Sequence, residues 1–199
     1  MSSLADPERR ALLELARRAL TAAVERREFL ESFPANEILQ RPAGVFVTLH
    51  CRGRLRGCIG QLASPDPLIQ VVVHLAKAAA LDDPRFEPVH PRELHELEIE
   101  LSVLSPLFDV TSSQIEVGKH GLLISRGWQR GVLLPQVAAE NGWPAERLLE
   151  ETCAKAGLER DAWKHPETRV EAFTAEIFKE EDFRGSSGAP VKPGYSSST

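Results

Sequence analysis

The segment RGRLRGCIG, residues 52–60, places a thiol and several guanidinium groups among glycines. Together with the preceding GVFVTLHC, its alternation predicts a β-hairpin that turns at Arg52-Gly53. Successive side chains of a strand point to opposite faces, so the second strand should divide its residues between an open face and the core. The residues predicted to share the open face are Arg54, Arg56 and Cys58. Those predicted to face the core are Leu55 and Ile59.

Cys58 is open to three interpretations. Beside cations, and with Gly57 leaving the backbone accessible, its thiolate would be stabilised and could act as a nucleophile. Arg56 could instead bind a carboxylate or phosphate through two parallel hydrogen bonds, without any thiol chemistry. Cys58 could also be a small buried hydrophobe, because free cysteine is among the most buried residue types.

The segment DDPRF, residues 82–86, is a second candidate for the site. The Asp83-Pro84 dipeptide predicts a rigid turn. Arg85 lies two residues from Asp83, a spacing that suits a structural ion pair. The same two side chains could also contribute to an anion site.

Two further segments carry polar groups at predicted turns. In GKHG, residues 118–121, Lys119 and His120 should present a cation and an imidazole on an exposed turn. That arrangement suits anion binding or general acid–base chemistry, and it equally suits an ordinary hairpin turn. In LLPQ, Gln136 should lie near a helix N-terminus, where backbone N–H groups favour an anion.

The remaining elements predict one α/β domain of the α+β kind, with a mixed sheet and flanking helices. A helix is expected over residues 6–31, a core over 44–180 and a domain over 1–183. A disordered Gly/Ser/Pro tail is expected over 184–199. Further helices are predicted for DPLIQVVVHLAKAAAL and PAERLLEETCAKAG. Further strands are predicted for LEIELSVLS, GKHGLLIS, RGWQRGVLLP and VEAFTAEIF.

Composition narrows the classes of function. The 199 residues carry a formal net charge of −5, which argues against wrapping bulk nucleic acid. Three cysteines at no disulfide or zinc spacing predict free thiols. The chain has no apolar run near the roughly 20 residues of a membrane span, so we predict a cytoplasmic protein without membrane contact. No metal spacing, phosphate loop or dinucleotide fingerprint is present, and we predict neither metal nor cofactor.

Six motifs in this order together resemble the AMMECR-one domain family: LRGCIG, DPRF, ELSVLS, GKHGLLI, LLPQVA and CAKAGL. The resemblance runs from about Gly44 to Phe178, and the hexapeptide at Leu55 to Gly60 is the family's specific motif. It implies an α/β architecture of two unequal lobes around a mixed sheet, with the hexapeptide lining a cleft. The site residues that it implies are Arg56, Gly57, Cys58, Asp83, Arg85, Lys119, His120 and Gln136.

Two functions follow as hypotheses. The first is an enzyme or enzyme component for a small anionic or nucleotide-like substrate, with Cys58 as nucleophile and His120 as acid–base group. Arg56 and Arg85 would hold the anion, and Lys119 would support it electrostatically. The resemblance also implies a pathway with Memo-like and radical SAM proteins, the AmmeMemoRadiSam system. The second is a non-catalytic module that binds a ligand, a protein or RNA, although 6% aromatic residues make base stacking less attractive.

Overall fold

The computed structural model describes residues 3–29, 33 and 36–184. Apart from Arg184, the predicted tail lies outside these residues. The helices of the described chain are α1 (Asp6–Val24), α2 (Leu68–Leu81), α3 (Pro135–Glu140) and α4 (Ala145–Lys155). The strands are β1 (Val45–Cys51), β2 (Arg54–Gln61), β3 (Leu97–Leu104), β4 (Phe108–Asp109), β5 (His120–Arg126), β6 (Gln129–Leu133) and β7 (Arg169–Lys179).

The strands form one curled sheet in the order β2-β1-β3-β7-β5-β6, and the short β4 also pairs with β7. The predicted α+β class with flanking helices is confirmed. Every pairing among the described strands is antiparallel, where we predicted a mixed sheet. Strand β3 follows α2 and runs parallel to β2, but it lies beside β1, which separates the two parallel strands. No parallel pair of adjacent strands therefore forms.

Two unequal hydrophobic cores lie along this sheet. The larger core joins α1 and α2 to β1 and β3, and the smaller core joins α4 to β5 and β6. Strand β7 belongs to both, because Phe178 packs in the larger core and Ala172 in the smaller one. The chain therefore has a large and a small lobe that share one strand.

Helix α1 is shorter than predicted. It ends at Val24, whereas the apolar pattern predicted a helix over 6–31. Arg26 adopts a left-handed backbone with φ of 56°, and the N–H of Arg27 donates to the carbonyl of Ala22. This geometry closes the helix, since a left-handed residue directs the chain away from the helix axis.

Strand β2 contains a bulge that overturns the predicted division of its faces. Leu49 lies opposite Gly57 and His50 lies opposite Leu55, so Arg56 has no partner on β1. The extra residue reverses the alternation beyond it. Leu55 therefore shares a face with Cys58 and is 43% exposed instead of buried. Ile59, the other residue predicted to face the core, does pack against the larger core. The prediction that Arg54, Arg56 and Cys58 share one face is wrong.

Candidate functional site

The segments around Cys58 and Asp83 meet through the backbone of Cys58. Because β2 is an edge strand, its outward N–H and C=O groups need partners other than a strand. The N–H of Cys58 donates to Asp83 Oδ2 at 2.7 Å, and Arg85 Nη2 donates to the carbonyl of Cys58 at 3.0 Å. Arg85 Nη2 also donates to Asp83 Oδ2 at 2.7 Å. Asp83 and Arg85 thus form the predicted ion pair and clamp the strand at its cysteine.

Asp83 stays ionised in this clamp. Its carboxylate is buried, and the hydrogen bonds from Arg85 hold its pKa well below the ordinary value. The N–H of Cys58 lowers that pKa further, while burial opposes both effects. A buried carboxylate that accepts several charge-assisted hydrogen bonds is held rigidly. Asp83 therefore positions Cys58 and does not act as a proton donor.

The guanidinium of Arg56, predicted to bind an anion, forms hydrogen bonds within the chain. Its Nε donates to Glu93 Oε1 at 2.8 Å, and its Nη1 donates to the carbonyl of Glu87 at 2.9 Å. Through these contacts it ties the loop before β3 to β2. Gly57, the next residue, packs against α2 so closely that an added Cβ would lie 2.2 Å from the carbonyl oxygen of Ala79. Both residues shape the strand that carries the thiol.

His120 and Lys119 also have local partners. His120 begins β5 and is 6% exposed, so the prediction of an exposed imidazole is wrong. Its Nδ1 accepts from the N–H of Glu116 at 3.2 Å, and its ring lies edge-on to Phe108 at 5.5 Å between centroids. Lys119 Nζ donates to the carboxylate of Glu116 at 2.9 Å. Within the described residues, no hydrogen bond or ion pair joins either side chain to Cys58.

Gln136 is the second residue of α3, next to the N-terminus as predicted. Its Oε1 is buried and has no hydrogen-bond partner among the described residues. Helix α3 has six residues, so its macrodipole is small. No hydrogen bond among the described residues joins Gln136 to the thiol.

The thiol of Cys58 lies beside the guanidinium of Arg85 and the hydroxyl of Thr48. All three cysteines are free, as predicted, and Cys58 is partly exposed. Its Sγ lies 3.4 Å from Thr48 Oγ1. Partial desolvation lowers the pKa of Lys155, the last residue of α4, although its surface is exposed. The charge of Arg85 lowers this pKa further and that of Cys58 raises it, so Lys155 lies within electrostatic range of both. We call Cys58, Thr48, Arg85 and Lys155 the thiol corner; Lys155 comes from the smaller lobe and the other three residues from the larger one.

A row of polar side chains crosses the sheet from this corner. Thr48 lies opposite Cys58 on one side and opposite Glu100 on the other, and Glu100 lies opposite Lys179. Residues that are opposite in neighbouring strands share a face of the sheet. Burial raises the pKa of Glu100, and the charges of His50 and Lys179 oppose that effect.

Sequence reasoning missed three of these residues. The alternation of LEIELSVLS placed Glu100 on a polar face without giving it a role, and Thr48 stood inside a predicted strand. Lys155 lies within CAKAGL, which contributed to the family resemblance alone. The signal that could have found them is the set of polar residues on one face of each strand. Their neighbours across the sheet are known only once the strand register is known.

Two other properties bear on the kind of site. No group of three histidine, cysteine, aspartate or glutamate side chains is arranged to hold a metal ion within the described residues. No helix in the described part of the chain is both long and apolar enough to span a bilayer.

Fold and site together define a two-lobed α+β protein with a partly exposed thiol beside an arginine of the larger lobe. The family model described as AMMECR1 matches residues 13–178. The chain belongs to the AMMECR1 family, and the resemblance to the AMMECR-one domain is confirmed.

The relatives of the chain span nearly its whole length. A protein of Methanothermobacter thermautotrophicus is 45% identical over 188 residues, which cover 89% of this chain and 97% of the relative. A protein of Aquifex aeolicus is 40% identical over 181 residues, covering 87% and 93%. The crystal structure of the uncharacterised protein PH0010 from Pyrococcus horikoshii is similar, with a TM-score of 0.80 and 41% identity. That likeness covers 85% of this chain and 90% of PH0010.

Proposed function

We propose that this chain is an enzyme or enzyme component that acts on a small anionic or nucleotide-like substrate at the thiol corner. The observation that supports the proposal is the contact of Arg85 with Cys58, whose carbonyl accepts from Arg85 Nη2 at 3.0 Å, with Lys155 within electrostatic range of the thiol. The Arg85 side chain remains 54% exposed despite its ion pair with Asp83, so its guanidinium can still bind an anion. Lys155 adds a second positive charge from the opposite lobe.

Cys58 is the nucleophile in this proposal. Its thiolate sulfur would form a bond to an electrophilic carbon of the substrate, and the group displaced from that carbon would leave with the bonding electrons. Asp83 and Arg56 hold the strand, and Gly57 permits its close approach to α2. The cytoplasmic setting and the pathway with Memo-like and radical SAM proteins belong to the same proposal.

A non-catalytic binding module is the second candidate. This candidate is favoured because Arg56, predicted to bind the anion, and His120, predicted to be the acid–base group, both form hydrogen bonds with neighbouring residues of the chain. In such a module the cations of the thiol corner would bind the same class of anion. Cys58 would then contribute its size and not its reactivity.

The test compares two alkylating reagents at each cysteine by mass spectrometry. Iodoacetate and iodoacetamide both form a carbon–sulfur bond with the thiolate and release iodide, but only iodoacetate is an anion. The ratio of their rates therefore reports local charge and cancels the ionised fraction of the thiol. Cys51 is an internal control, since its S–H donates to Glu96 Oε2 at 3.6 Å and burial raises its pKa.

We expect the iodoacetate-to-iodoacetamide ratio to be several-fold higher at Cys58 than at Cys51. Lys155→Gln should lower the ratio at Cys58, because one of its two cations is lost. Lys164→Gln, a change at an exposed lysine paired with Glu146, is the matched control and should leave the ratio unchanged. Equal ratios at Cys58 and Cys51 would rule out the anion site.

Reactivity separates the two candidates. An enzyme should show Cys58 reacting with iodoacetamide at pH 7 faster than the thiol of glutathione. A binding module should show ordinary or slow alkylation, while inorganic phosphate still raises the melting temperature of Cys58→Ala. In that case the phosphate effect should be lost in Lys155→Gln.

A further inference from the structure

A cavity of about 120 Å³ lies on the face of the sheet opposite to the thiol corner. Its wall includes Val103 of β3, which lies opposite Val45 on one side and opposite Glu176 of β7 on the other. Val45 and Val103 pack in the larger core. Thr48 and Glu100, each an odd number of residues away along the same two strands, face the other way. The cavity is therefore separate from the thiol corner, and the proposed function does not use it.

The floor of this cavity is apolar. It is lined by Leu4, Ala43, Leu68 and Val103, which are at most 7% exposed. An apolar cavity of about 150 Å³ holds one benzene molecule, so this smaller cavity should hold about four or five carbon atoms. Branched aliphatic groups such as isobutyl have this size, and they can pack against the leucine and valine side chains without burying a polar atom.

Two side chains of opposite charge line the rim of the same cavity. The Glu176 side chain is 32% exposed, and Arg41 is exposed as well. Within the described residues, the Arg41 side chain forms no hydrogen bond and no ion pair, with Glu176 or with any other group. The five N–H donors of its guanidinium are therefore available to a ligand.

One oxygen of Glu176 can accept further hydrogen bonds. Its Oε2 accepts from the N–H of Leu4 at 3.0 Å, from Ser3 Oγ at 3.1 Å and from Arg9 Nη2 at 3.3 Å. Among the described residues, its Oε1 accepts only from the N–H of Leu4, at 3.4 Å. Because each carboxylate oxygen has two lone pairs, Oε1 can accept from an ammonium group while the bonds at Oε2 hold the side chain in place.

The backbone of Arg41 is also held in place. Its carbonyl accepts from the N–H of Leu68 at 3.0 Å, and the carbonyl of Leu39 accepts from the N–H of Ile69 at 3.1 Å. These bonds join the segment before β1 to the first turn of α2, whose N–H groups have no acceptor within the helix. A fixed backbone reduces the entropy that is lost when the arginine binds a ligand.

We propose that this cavity binds a free α-amino acid with a branched aliphatic side chain. The aliphatic group occupies the apolar floor, the carboxylate binds Arg41 through two parallel hydrogen bonds, and the ammonium group donates to Glu176 Oε1. A simple carboxylate would bring a second negative charge to Glu176, and a simple amine would bring a second positive charge to Arg41. A ligand that carries both charges matches the rim better than either.

Isothermal titration calorimetry of the full chain with L-leucine tests the site. Three analogues each lack one of the recognised groups. The ammonium group is absent from 4-methylpentanoate, the carboxylate from 3-methylbutylamine and the branched chain from L-alanine. We expect L-leucine to bind at least about tenfold more tightly than each analogue, because each analogue loses one charge-assisted or apolar contact.

Variants of the cavity assign these contacts. Arg41→Gln should weaken L-leucine binding about tenfold without weakening 3-methylbutylamine, and Glu176→Gln should do so without weakening 4-methylpentanoate. Arg130→Gln, at an exposed arginine of β6 that has no ion pair among the described residues, is the matched control and should bind like the wild type. Ala43→Val adds two methyl groups at the floor and should abolish binding without changing any charge. Circular dichroism of each variant checks that the fold is retained.

The inference is overturned if L-leucine does not bind at millimolar concentration, or if Arg41→Gln leaves its affinity unchanged. Weaker L-leucine binding in Lys155→Gln but not in Arg41→Gln would place the amino acid at the thiol corner and would overturn the inference too. The iodoacetate-to-iodoacetamide ratio at Cys58 should be the same in Arg41→Gln as in the wild type. The cavity and the proposed function can therefore fail independently of each other.

Discussion

At the scale of single residues, hydrogen-bond partners separate two arginines that look equivalent in the sequence. The Arg56 side chain is 17% exposed, and its guanidinium donates to Glu93 and to backbone carbonyls. That of Arg85 holds Asp83 with one edge and stays half-exposed. A planar guanidinium has five N–H donors in a fixed arrangement. The donors that neither bond within the chain nor are buried remain available to a ligand. Of the two arginines, Arg85 therefore has more donors free for the anion that we propose.

The clamp at Cys58 predicts a specific effect of Asp83→Asn. The amide would lose the charge-assisted hydrogen bonds of Arg85 and would place its own NH2 group among donors. We expect the free energy of unfolding at pH 7 to fall by about 2–3 kcal/mol. Urea denaturation measures this loss. Asp82→Asn, at the exposed neighbouring carboxylate, should stay within about 0.5 kcal/mol of the wild type.

The same substitution has a predictable pH dependence. The pKa of Asp83 is lower in the folded chain than the unfolded value of about 3.9. Its stabilising contribution is therefore present above about pH 4 and is lost as the pH falls. The unfolding free energies of the wild type and Asp83→Asn should converge as the solution is acidified from pH 6 toward pH 3. A difference that stays constant over this range would show that Asp83 is not held by these bonds.

At the scale of elements, the distance between β2 and α2 depends on Gly57. An added Cβ would lie 2.2 Å from the backbone oxygen of Ala79, which has no flexible side chain that could move aside. We expect Gly57→Ala to destabilise the fold by about 1–3 kcal/mol, because the strand must shift away from the helix. The shift would move Cys58 as well and should change its alkylation rate.

Gly53 offers the control for this prediction. It has φ of +74° at the β1–β2 turn, and an added Cβ would meet nothing within 4 Å. Asparagine tolerates this backbone, so Gly53→Asn should change the unfolding free energy by less than about 1 kcal/mol. Equal destabilisation by Gly53→Asn and Gly57→Ala would contradict a role for close strand–helix packing.

The elements themselves could be predicted well from the sequence, because apolar alternation, prolines and glycines mark their ends. Helix α4 follows Pro144 and is closed near Gly157, whose φ is 73°. The bulge at Arg56 could not be predicted, since it depends on pairing with β1 and not on the local pattern. The row of side chains through Thr48 and Glu100 could not be predicted either, because the register depends on two strands and not on one local pattern.

At the scale of the whole molecule, β7 connects the two lobes. Its residues 169–174 pair with β5 and its residues 175–179 pair with β3. Unfolding of either core would remove a partner from this common strand. The thiol corner depends on the same continuity, because Lys155 belongs to the small lobe and Cys58 to the large one.

We therefore expect the two lobes to unfold in one transition, and two spectroscopic probes can test this. All three tryptophans lie in the small lobe: Trp143 and Trp163 pack against its core, and Trp128 lies at the β5–β6 turn. The far-ultraviolet circular dichroism comes mainly from the large lobe, whose α1 and α2 have 19 and 14 residues against 6 and 11 in α3 and α4. Fluorescence and dichroism should report the same urea midpoint.

Substitutions in the core of one lobe test whether the two lobes unfold together. Leu148→Ala in α4 and Leu12→Ala in α1 each remove a fully buried side chain, at a cost of about 2–5 kcal/mol. If β7 couples the lobes, each substitution should shift the fluorescence and the dichroism transitions equally, although it lies in only one lobe. A shift of the fluorescence transition alone in Leu148→Ala would show that the small lobe unfolds independently. Lys155 could then leave Cys58 while the large lobe stays folded, and the anion site would open and close with the small lobe.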